Sequence, residues 1–231
     1  MSSGLNVKKI GMVVAMEKEV TPFLEKQGGY EEINISGFTV KKFNLHGKEV
    51  YLIKSGIGEI YASSATQLLI TAFKVDAIFN FGVCGSLVDN VAVEDTVFVN
   101  GVVHYDFDLS PIDAVKVGQY PGYDNAVIKI NNKLLDVAVE NFKNVKLAIC
   151  ASADKFVADA NIKENLNATY GAEVCDMECA GVLLTSLNAN VPVLIIKAVS
   201  DGKGGAEEFN KRVNNAAKIY IDTVNKIVEA V

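Results

Sequence analysis

Two patterns of apolar residues alternate along the 231-residue chain. Short runs of consecutive apolar residues, rich in valine and isoleucine, are typical of strands buried on both faces of a mostly parallel sheet. Between them lie longer stretches in which apolar residues recur every three or four positions, as on an amphipathic helix. These patterns predict strands over 7–15, 77–81, 96–103, 146–151 and 193–199, and helices over 17–27, 60–73, 132–142, 176–187 and 206–231.

A β-hairpin interrupts this alternation and makes the predicted sheet mixed. Its arms are residues 38–45 and 49–54, and the chain turns at His46 and Gly47. No low-complexity segment, long Pro/Gly/Ser linker or internal repeat divides the sequence. The sequence therefore predicts one domain over residues 1–231, of the α/β class, built as a three-layer α/β/α sandwich around a mixed central sheet.

The carboxyl ends of the predicted strands are the places to look for chemistry. In open α/β sheets, ligands bind in the crevice beyond these ends. Polar or glycine-rich residues follow most of the predicted strands of this chain. The segments are 16–19, 55–58, 82–86, 105–110, 152–157 and 200–201.

Composition and charge narrow the classes of function. Hydrophobic residues make up 50% of the chain and charged residues 22%, an ordinary globular usage that argues against disorder or a coiled coil. A formal net charge of −6 argues against a nucleic-acid partner, because such proteins present a basic face to phosphates. The start has no apolar leader, no apolar run is long enough to cross a membrane, and the four cysteines form no disulfide framework. We therefore expect a reduced, cytoplasmic protein with no membrane partner.

Acids occupy the predicted ligand-binding edge, whereas arginines do not. Arg212 is the only arginine, so a cluster of arginines from one chain cannot clamp a phosphate here. Glu17 and Glu19 follow the first strand, where they could equally be acids favoured by a helix dipole. Glu178 precedes an apolar segment in which an unpaired carboxylate would be costly. Asp201 ends a predicted central strand, where it could also cap the next helix.

Two glycine-rich segments have more than one interpretation. The first, Ser55-Gly56-Ile57-Gly58, lets the backbone approach a ligand closely, but a tight strand-to-helix turn explains it as well. The second is predicted to be a turn over residues 82–86 and contains Cys84. This cysteine could pair with His46 or His104 as a nucleophile, or it could be inert packing.

The remaining cysteines do not complete a metal site. Cys175 and Cys179 are spaced i,i+4 at a predicted helix start, but no matching Cys/His pair exists elsewhere. The sequence therefore predicts no metal and no cofactor. Carboxylates such as Glu19, Glu178 and Asp201, without metal or nucleophile, suit cleavage through a cationic sugar-like transition state. One acid protonates the leaving group while another activates water.

Five segments, in one order along the chain, resemble a known family. They are 10–20 (IGMVVAMEKEV), 54–58 (KSGIG), 118–122 (GQYPG), 176–178 (DME) and 198–201 (AVSD). Over nearly the whole chain they resemble the methylthioadenosine/S-adenosylhomocysteine nucleosidases of the nucleoside phosphorylase superfamily. The resemblance implies hydrolysis of the N-glycosidic bond of 5′-substituted adenosines, including 5′-deoxyadenosine, to adenine and the ribose product. It also implies a homodimer in which the neighbouring subunit helps to close the pocket.

The resemblance implies roles for particular residues. Glu19 is expected to activate the hydrolytic water, and Asp201 to protonate adenine N7 with support from Ser200. Glu178 is expected to accept hydrogen bonds from the sugar hydroxyls, beside Met177. The other expected substrate contacts are Phe156 stacking on the base, the backbone of Val157 at the adenine edge, and Met16, Ile57 and Phe209 around the sugar and alkylthio group.

Four positions depart from the family pattern. Val83 stands where the nucleosidases carry a serine near the ribose and water, and Ser86 replaces their last glycine. Lys197 replaces an arginine near the water-activating acid, which keeps the charge but loses the planar fork. Val115 falls where an aromatic residue usually covers the alkylthio pocket. Val83 and Lys197 are still expected to contact substrate, with consequences for rate and for the preferred 5′ group.

Hydrolysis is favoured over phosphorolysis by the residues of the central strand. Phosphorylases of the superfamily place an arginine before the glycine segment and a hydroxyl within it, where this chain has Asn80 and Val83. Arg212 matches neither phosphate position. Two alternatives stay open: a phosphorylase that binds phosphate through Lys197 or Lys54, and a weakly catalytic nucleoside-binding or storage protein on the same fold.

Overall fold

A single mixed sheet of ten strands runs through the computed structural model, which describes residues 6–142 and 146–231. The first five residues, part of the segment predicted to carry no leader, lie outside the described residues. No helix in these two ranges is long and apolar enough to cross a membrane. The strands are β1 (Lys9–Val14), β2 (Glu31–Ile35), β3 (Phe38–Leu45), β4 (Lys48–Lys54), β5 (Ala77–Ser86), β6 (Thr96–His104), β7 (Ile128–Lys129), β8 (Lys146–Ser152), β9 (Val174–Asp176) and β10 (Val193–Asp201). The helices are α1 (Glu17–Leu24), α2 (Glu59–Phe73), α3 (Lys133–Asn141), α4 (Ala160–Tyr170), α5 (Cys179–Asn188) and α6 (Gly205–Ala230).

The centre of the sheet is parallel and its periphery is antiparallel. Strands β4, β1, β5 and β10 lie side by side in parallel. The predicted hairpin forms β3 and β4, and its turn residues His46 and Gly47 both have positive φ. Strand β10 also pairs with β6, which leads through β8 and β9 back to β5, so part of the sheet closes on itself. The predicted mixed α/β fold is confirmed.

Two groups of helices pack against this sheet. Helix α6 lies on β10 and β5 and contacts α1 and α3, whereas α2 and α5 pack together elsewhere on the sheet. Continuous burial of β5 and β10 agrees with their uninterrupted apolar sequences. Between α1, β5 and α6, the rings of Phe23, Phe81 and Tyr220 form a row of tilted contacts with centroids 5.0 and 5.3 Å apart. The Tyr220 hydroxyl donates to the Glu19 carbonyl at 2.8 Å, which fixes the first turn of α1.

The predicted glycine turn over residues 82–86 is wrong, because these residues are strand. Strand β5 was expected to end at Phe81 but continues through Ser86. Gly82 to Cys84 pair with β10, and Gly85 and Ser86 pair with β9. Two neighbouring strands supply the backbone partners that make extended chain favourable here, and neither partner is visible in the local sequence.

The predicted helix over 176–187 begins later, at Cys179. Cys175 and Asp176 belong to β9, so Cys175 and Cys179 do not lie one helical turn apart and do not form the suggested half site. Helix α4 and strands β2, β7 and β9 were not predicted. A signal for α4 was present, since Asp159 caps its start and Gly171 ends it in the left-handed conformation. The strands β7 and β9 have only two and three residues, too few for a pattern.

Candidate active site

One cavity of about 320 Å³ lies at the carboxyl ends of the parallel strands. Residues from five of the six predicted segments line it, and only residues 105–110 contribute nothing to its lining. Its volume falls in the range of small-molecule sites. The lining residues are Ala15, Met16, Glu19, Ile57, Val83, Cys84, Gly85, Phe156, Cys175, Asp176, Met177, Glu178, Ser200, Asp201 and Phe209.

Glu19 is held in the first turn of α1 with its carboxyl at the cavity. Its Oε2 accepts from the Met16 amide at 2.8 Å, and its Oε1 accepts from the Val83 amide at 2.8 Å. Burial raises the pKa of Glu19, and the nearby Lys197 ammonium opposes that rise. Glu19 is thus a buried carboxyl with a raised pKa, fixed between a helix and the central strand. A group of this kind can take a proton from water.

Glu178 lies at the start of α5 and faces the loop before α2. Its Oε1 accepts from the Gly58 amide at 3.0 Å, and Gly58 has a φ of 107°, which favours glycine. Burial, followed by repulsion from Asp176, raises the pKa of Glu178 to about 8. The segment Ser55–Gly58 is therefore more than a tight turn, because it positions one of the candidate acids.

Asp201 ends β10 at the cavity. Its Oδ1 lies 3.0 Å from Ser200 Oγ, and its Oδ2 lies 3.2 Å from Lys163 Nζ. Burial raises the pKa of Asp201, while the Lys163 ammonium lowers it. Asp201 does not cap the next helix, since α6 begins at Gly205 with Gly204 as its N-cap.

Lys197 lies behind the cavity wall and does not line the cavity. Its Nζ is 2.8 Å from Asp176 Oδ2, and both side chains are almost fully buried. Its expected contact with substrate stays a prediction, and its charge acts on Asp176, Glu178 and Glu19. Asp176 was not predicted as a functional residue, because the motif that contains it drew attention to Met177 and Glu178.

The rest of the lining is apolar. Phe156 and Phe209 meet edge to face with ring centroids 5.5 Å apart. Ile57 and Phe156 remain 53% and 43% exposed, which places them at an open mouth. Val157 does not line the cavity, since its side chain is buried in a small cluster with Leu87, Val103, Leu166 and others. The other predicted apolar contacts, Met16, Val83 and Met177, line the cavity.

The other candidate chemistries find little support. Burial raises the pKa of the Cys84 thiol well above its usual range, and His104 bonds to Tyr120 at 2.7 Å and Asp106 at 3.0 Å instead. These contacts do not support a nucleophilic pair of Cys84 and His104. Arg212 is half exposed and contacts Glu94 at 3.4 Å, away from the cavity.

One group of potential metal ligands occurs among the described residues. Cys150, Asp176 and Cys179 place their ligand atoms within 4.8 Å of one another. The Lys197 ammonium already neutralises Asp176 at 2.8 Å, and Ser152 Oγ donates to the same carboxylate at 2.6 Å. These contacts make the three side chains part of a hydrogen-bonded network.

The comparisons with known proteins point to one family. A sequence model of the phosphorylase superfamily matches residues 9–231. The chain is 33% identical to a 5′-methylthioadenosine/S-adenosylhomocysteine nucleosidase of Geobacillus sp., with 96% of this chain and 98% of that protein covered. It is 30% identical to an aminodeoxyfutalosine nucleosidase of Campylobacter jejuni, with 96% and 98% covered. A crystal structure of a Helicobacter pylori nucleosidase mutant, with 5′-methylthioadenosine in its active site, has a TM-score of 0.90 at 28% identity, covering 98% of this chain and 100% of that one.

This chain belongs to the phosphorylase superfamily. Within the superfamily, the resemblance of its motifs to the 5′-methylthioadenosine/S-adenosylhomocysteine nucleosidases is confirmed by these relatives. The relatives act on more than one nucleoside, because some are named for aminodeoxyfutalosine. The family therefore indicates N-glycosidic cleavage but leaves the 5′ group open.

Proposed function

We propose that this protein hydrolyses the N-glycosidic bond of 5′-substituted adenosines and releases adenine. The observation that carries the proposal is the convergence of three buried carboxyls from separate elements on one largely apolar cavity. Glu19 comes from α1, Glu178 from the start of α5 and Asp201 from the end of β10. Cleavage of a glycosidic bond needs such a set, with one acid at the leaving group and another at the water.

Each carboxyl has a role in this reaction. Asp201 gives its proton to adenine N7, so that the base leaves with the electron pair of the C1′–N9 bond. Glu19 takes a proton from the water whose oxygen bonds to C1′. Glu178 accepts hydrogen bonds from the ribose hydroxyls beside Met177, which fixes the sugar. The carboxylate left on Asp201 after proton transfer also favours the cationic sugar that forms between bond breaking and attack.

The apolar residues are proposed to hold the base and the 5′ group. Phe156 stacks on adenine, and the backbone of Val157 next to it reads the adenine edge. Met16, Ile57 and Phe209 surround the sugar and the 5′ substituent, and Val83 covers the sugar in place of a hydroxyl. The charge of Lys197 acts on the acids from behind the cavity wall. These assignments place the sugar and the 5′ group against apolar side chains.

Water, and not phosphate, is the proposed nucleophile. Asn80 is buried and donates to the Val13 carbonyl at 2.9 Å, so it is engaged inside the sheet. Lys54 pairs with Glu17 at 2.8 Å in an exposed position outside the cavity lining. The described part of the cavity thus has no arginine or lysine in its lining to hold a phosphate dianion.

We also propose a homodimer that uses the surface at the start of α2. Ile60 and Tyr61 are 75% and 59% exposed, and Ile57 is exposed at the cavity mouth nearby. A patch of large apolar side chains next to an open pocket is typical of an interaction surface. A second copy seated there would cover the mouth. The predicted cytoplasmic location stays a prediction.

Product analysis tests the proposed reaction. The protein is incubated with 5′-methylthioadenosine in phosphate-free buffer and again with phosphate, and the products are separated by chromatography. Adenine and a reducing sugar in both incubations support hydrolysis. A sugar 1-phosphate formed only with phosphate would make the protein a phosphorylase, and ligand binding without products would make it a binding protein.

Asp201→Asn tests the mechanism. We expect kcat to fall by about 10²–10⁴-fold, the usual contribution of a positioned proton donor. Asp89→Asn, which changes an exposed acid paired with Lys203, is the matched control and should leave kcat unchanged. Unchanged turnover in Asp201→Asn would contradict the assignment of Asp201 as the acid.

A further inference from the structure

Lys163 reaches from helix α4 to the carboxyl end of β10. Its Nζ lies 3.2 Å from Asp201 Oδ2 and 2.6 Å from the Gly202 carbonyl oxygen. Only 6% of the Lys163 side chain and 3% of the Asp201 side chain are exposed. An ammonium buried to this degree is costly unless it is paired, so its position indicates a specific interaction.

Helix α4 is otherwise a surface helix. Its only buried residues are Lys163 and Leu166, and the remaining nine residues face solvent wholly or in part. A lysine at a core-facing position of such a helix loses the hydration of its ammonium group. An apolar residue at the same position would not have this cost. The compensation lies at Asp201, the last residue of β10, and at Gly202, which follows it.

Lys163 is the one described cation in contact with Asp201. The other groups that face this carboxyl are Ser200 from β10, the Cys175 thiol from β9 and Glu208 from α6. Glu208 is held nearby, since its Oε2 accepts from the Gly202 amide at 2.8 Å. Burial and Glu208 favour the protonated form of Asp201, and Lys163 opposes both.

We propose that Lys163 is a positioning residue that holds the Asp201 carboxyl at the cavity and stabilises the negative charge left on Asp201 after proton transfer. The proposal rests on the proposed function, in which Asp201 is the acid. The proton of Asp201 moves to adenine N7, the base leaves with the C1′–N9 electron pair, and the ammonium of Lys163 keeps its three protons. The new carboxylate then faces a cation at hydrogen-bond distance, so the proton is lost more readily in the transition state.

Two substitutions separate the charge of Lys163 from its hydrogen bond. Lys163→Gln keeps a donor for the Gly202 carbonyl but removes the charge, whereas Lys163→Arg keeps the charge. Without the charge, Asp201 holds its proton to higher pH and gives it up less readily. We therefore expect Lys163→Gln to lower kcat by about tenfold or more, a part of what general acid catalysis contributes. The alkaline limb of the kcat/KM profile should move to higher pH.

The controls address charge and folding. Lys163→Arg should restore the wild-type alkaline limb. Lys203→Gln removes an exposed lysine two residues from Asp201 that pairs with Asp89, and it should leave kcat and the pH profile unchanged. Where Lys163→Gln does not fold, Lys163→Met is the second neutral variant. A loss of kcat with an unmoved alkaline limb would assign Lys163 a merely structural role and overturn the proposal.

A carboxyl titration makes the test independent of activity. The ¹³C signal of the Asp201 carboxyl, assigned by its absence in Asp201→Asn, is followed against pH in the wild type and in Lys163→Gln. A higher Asp201 pKa in Lys163→Gln supports the proposal, and an unchanged pKa overturns it. If the wild type releases no adenine, the proposed function fails, but this titration still decides whether Lys163 controls Asp201.

Discussion

Gly82 leaves room for the carboxyl of Glu19. A Cβ atom at position 82 would lie 2.5 Å from Glu19 Oε1, closer than real contacts allow, and 3.1 Å from its Cδ. Gly82 precedes Val83, whose amide donates to the same oxygen. The glycine is therefore required by the position of an acid and not by a turn.

Gly82→Ala should displace Glu19 while the strand persists. We expect kcat for adenine release to fall by about tenfold or more, because the Glu19 carboxyl is displaced from the water whose proton it takes. Steady-state kinetics and thermal unfolding measure the two effects. Gly101→Ala in β6 is the control, since its Cβ would meet the side chains of Val127 and Lys129 at 3.0 and 3.3 Å, away from the cavity. Equal losses of kcat in both variants would contradict this interpretation.

The sequence identifies the candidate acids more readily than the side chains that pair with them. Glu19, Glu178 and Asp201 stand out because they follow strands and sit beside apolar segments. Lys163 does not stand out, since a lysine on a polar helix looks like any solvated residue. Only the fold brings α4 to the end of β10 and so reveals the contact.

At the level of the elements, a shared proton connects α2 to β8 and β9. Ser152 Oγ lies 2.5 Å from Glu59 Oε1 and 2.6 Å from Asp176 Oδ1, but a hydroxyl has only one hydrogen to donate. Although burial alone would raise the pKa of Asp176, the Lys197 ammonium reverses the effect and the pKa is lowered. Burial, followed by repulsion from Asp176, raises the pKa of Glu59 to about 7. Glu59 therefore carries the proton and donates it to Ser152.

Stability should decline as Glu59 ionises. Its pKa in the folded protein lies above its ordinary value of 4.5, so its contribution is complete below that value and is lost as pH rises through about 7. Glu59→Gln imitates the protonated form, with an amide that can donate to Ser152 and accept from the Gly181 amide. When the pH is raised from 5 to 9, the free energy of unfolding of Glu59→Gln should fall by roughly 1–3 kcal/mol less than that of the wild type.

Denaturant unfolding at several pH values measures this difference. Glu178, whose pKa is about 8, ionises in both proteins, so its effect on the free energy of unfolding cancels in the difference between them. Glu207→Gln changes an exposed acid that pairs with Lys211, and it should follow the wild type. Parallel pH profiles for Glu59→Gln and the wild type would mean that Glu59 is already ionised at pH 5.

For the whole molecule, the exposed apolar surface at the start of α2 predicts assembly. Ile60→Lys places a charge at the proposed subunit interface and should convert a dimer into a monomer in sedimentation velocity. Because the proposed interface adjoins the cavity mouth, the loss of the dimer in Ile60→Lys should also raise KM. Val139→Lys, on the exposed side of α3, is the matched control and should remain dimeric. A wild type that sediments as a monomer at all concentrations would refute the proposed homodimer.

Local sequence patterns predict the main helices and strands, the mixed α/β class and the three candidate acids. Hydrophobic periodicity records which face of a segment is buried, and the position of an acid after a strand follows from chain order. Only the contacts of the folded chain show that residues 82–86 are strand, that Lys197 pairs with Asp176 and that Lys163 pairs with Asp201. These features depend on partners more than 20 residues away, and a local pattern carries no information about which distant residue supplies the hydrogen bond or the charge.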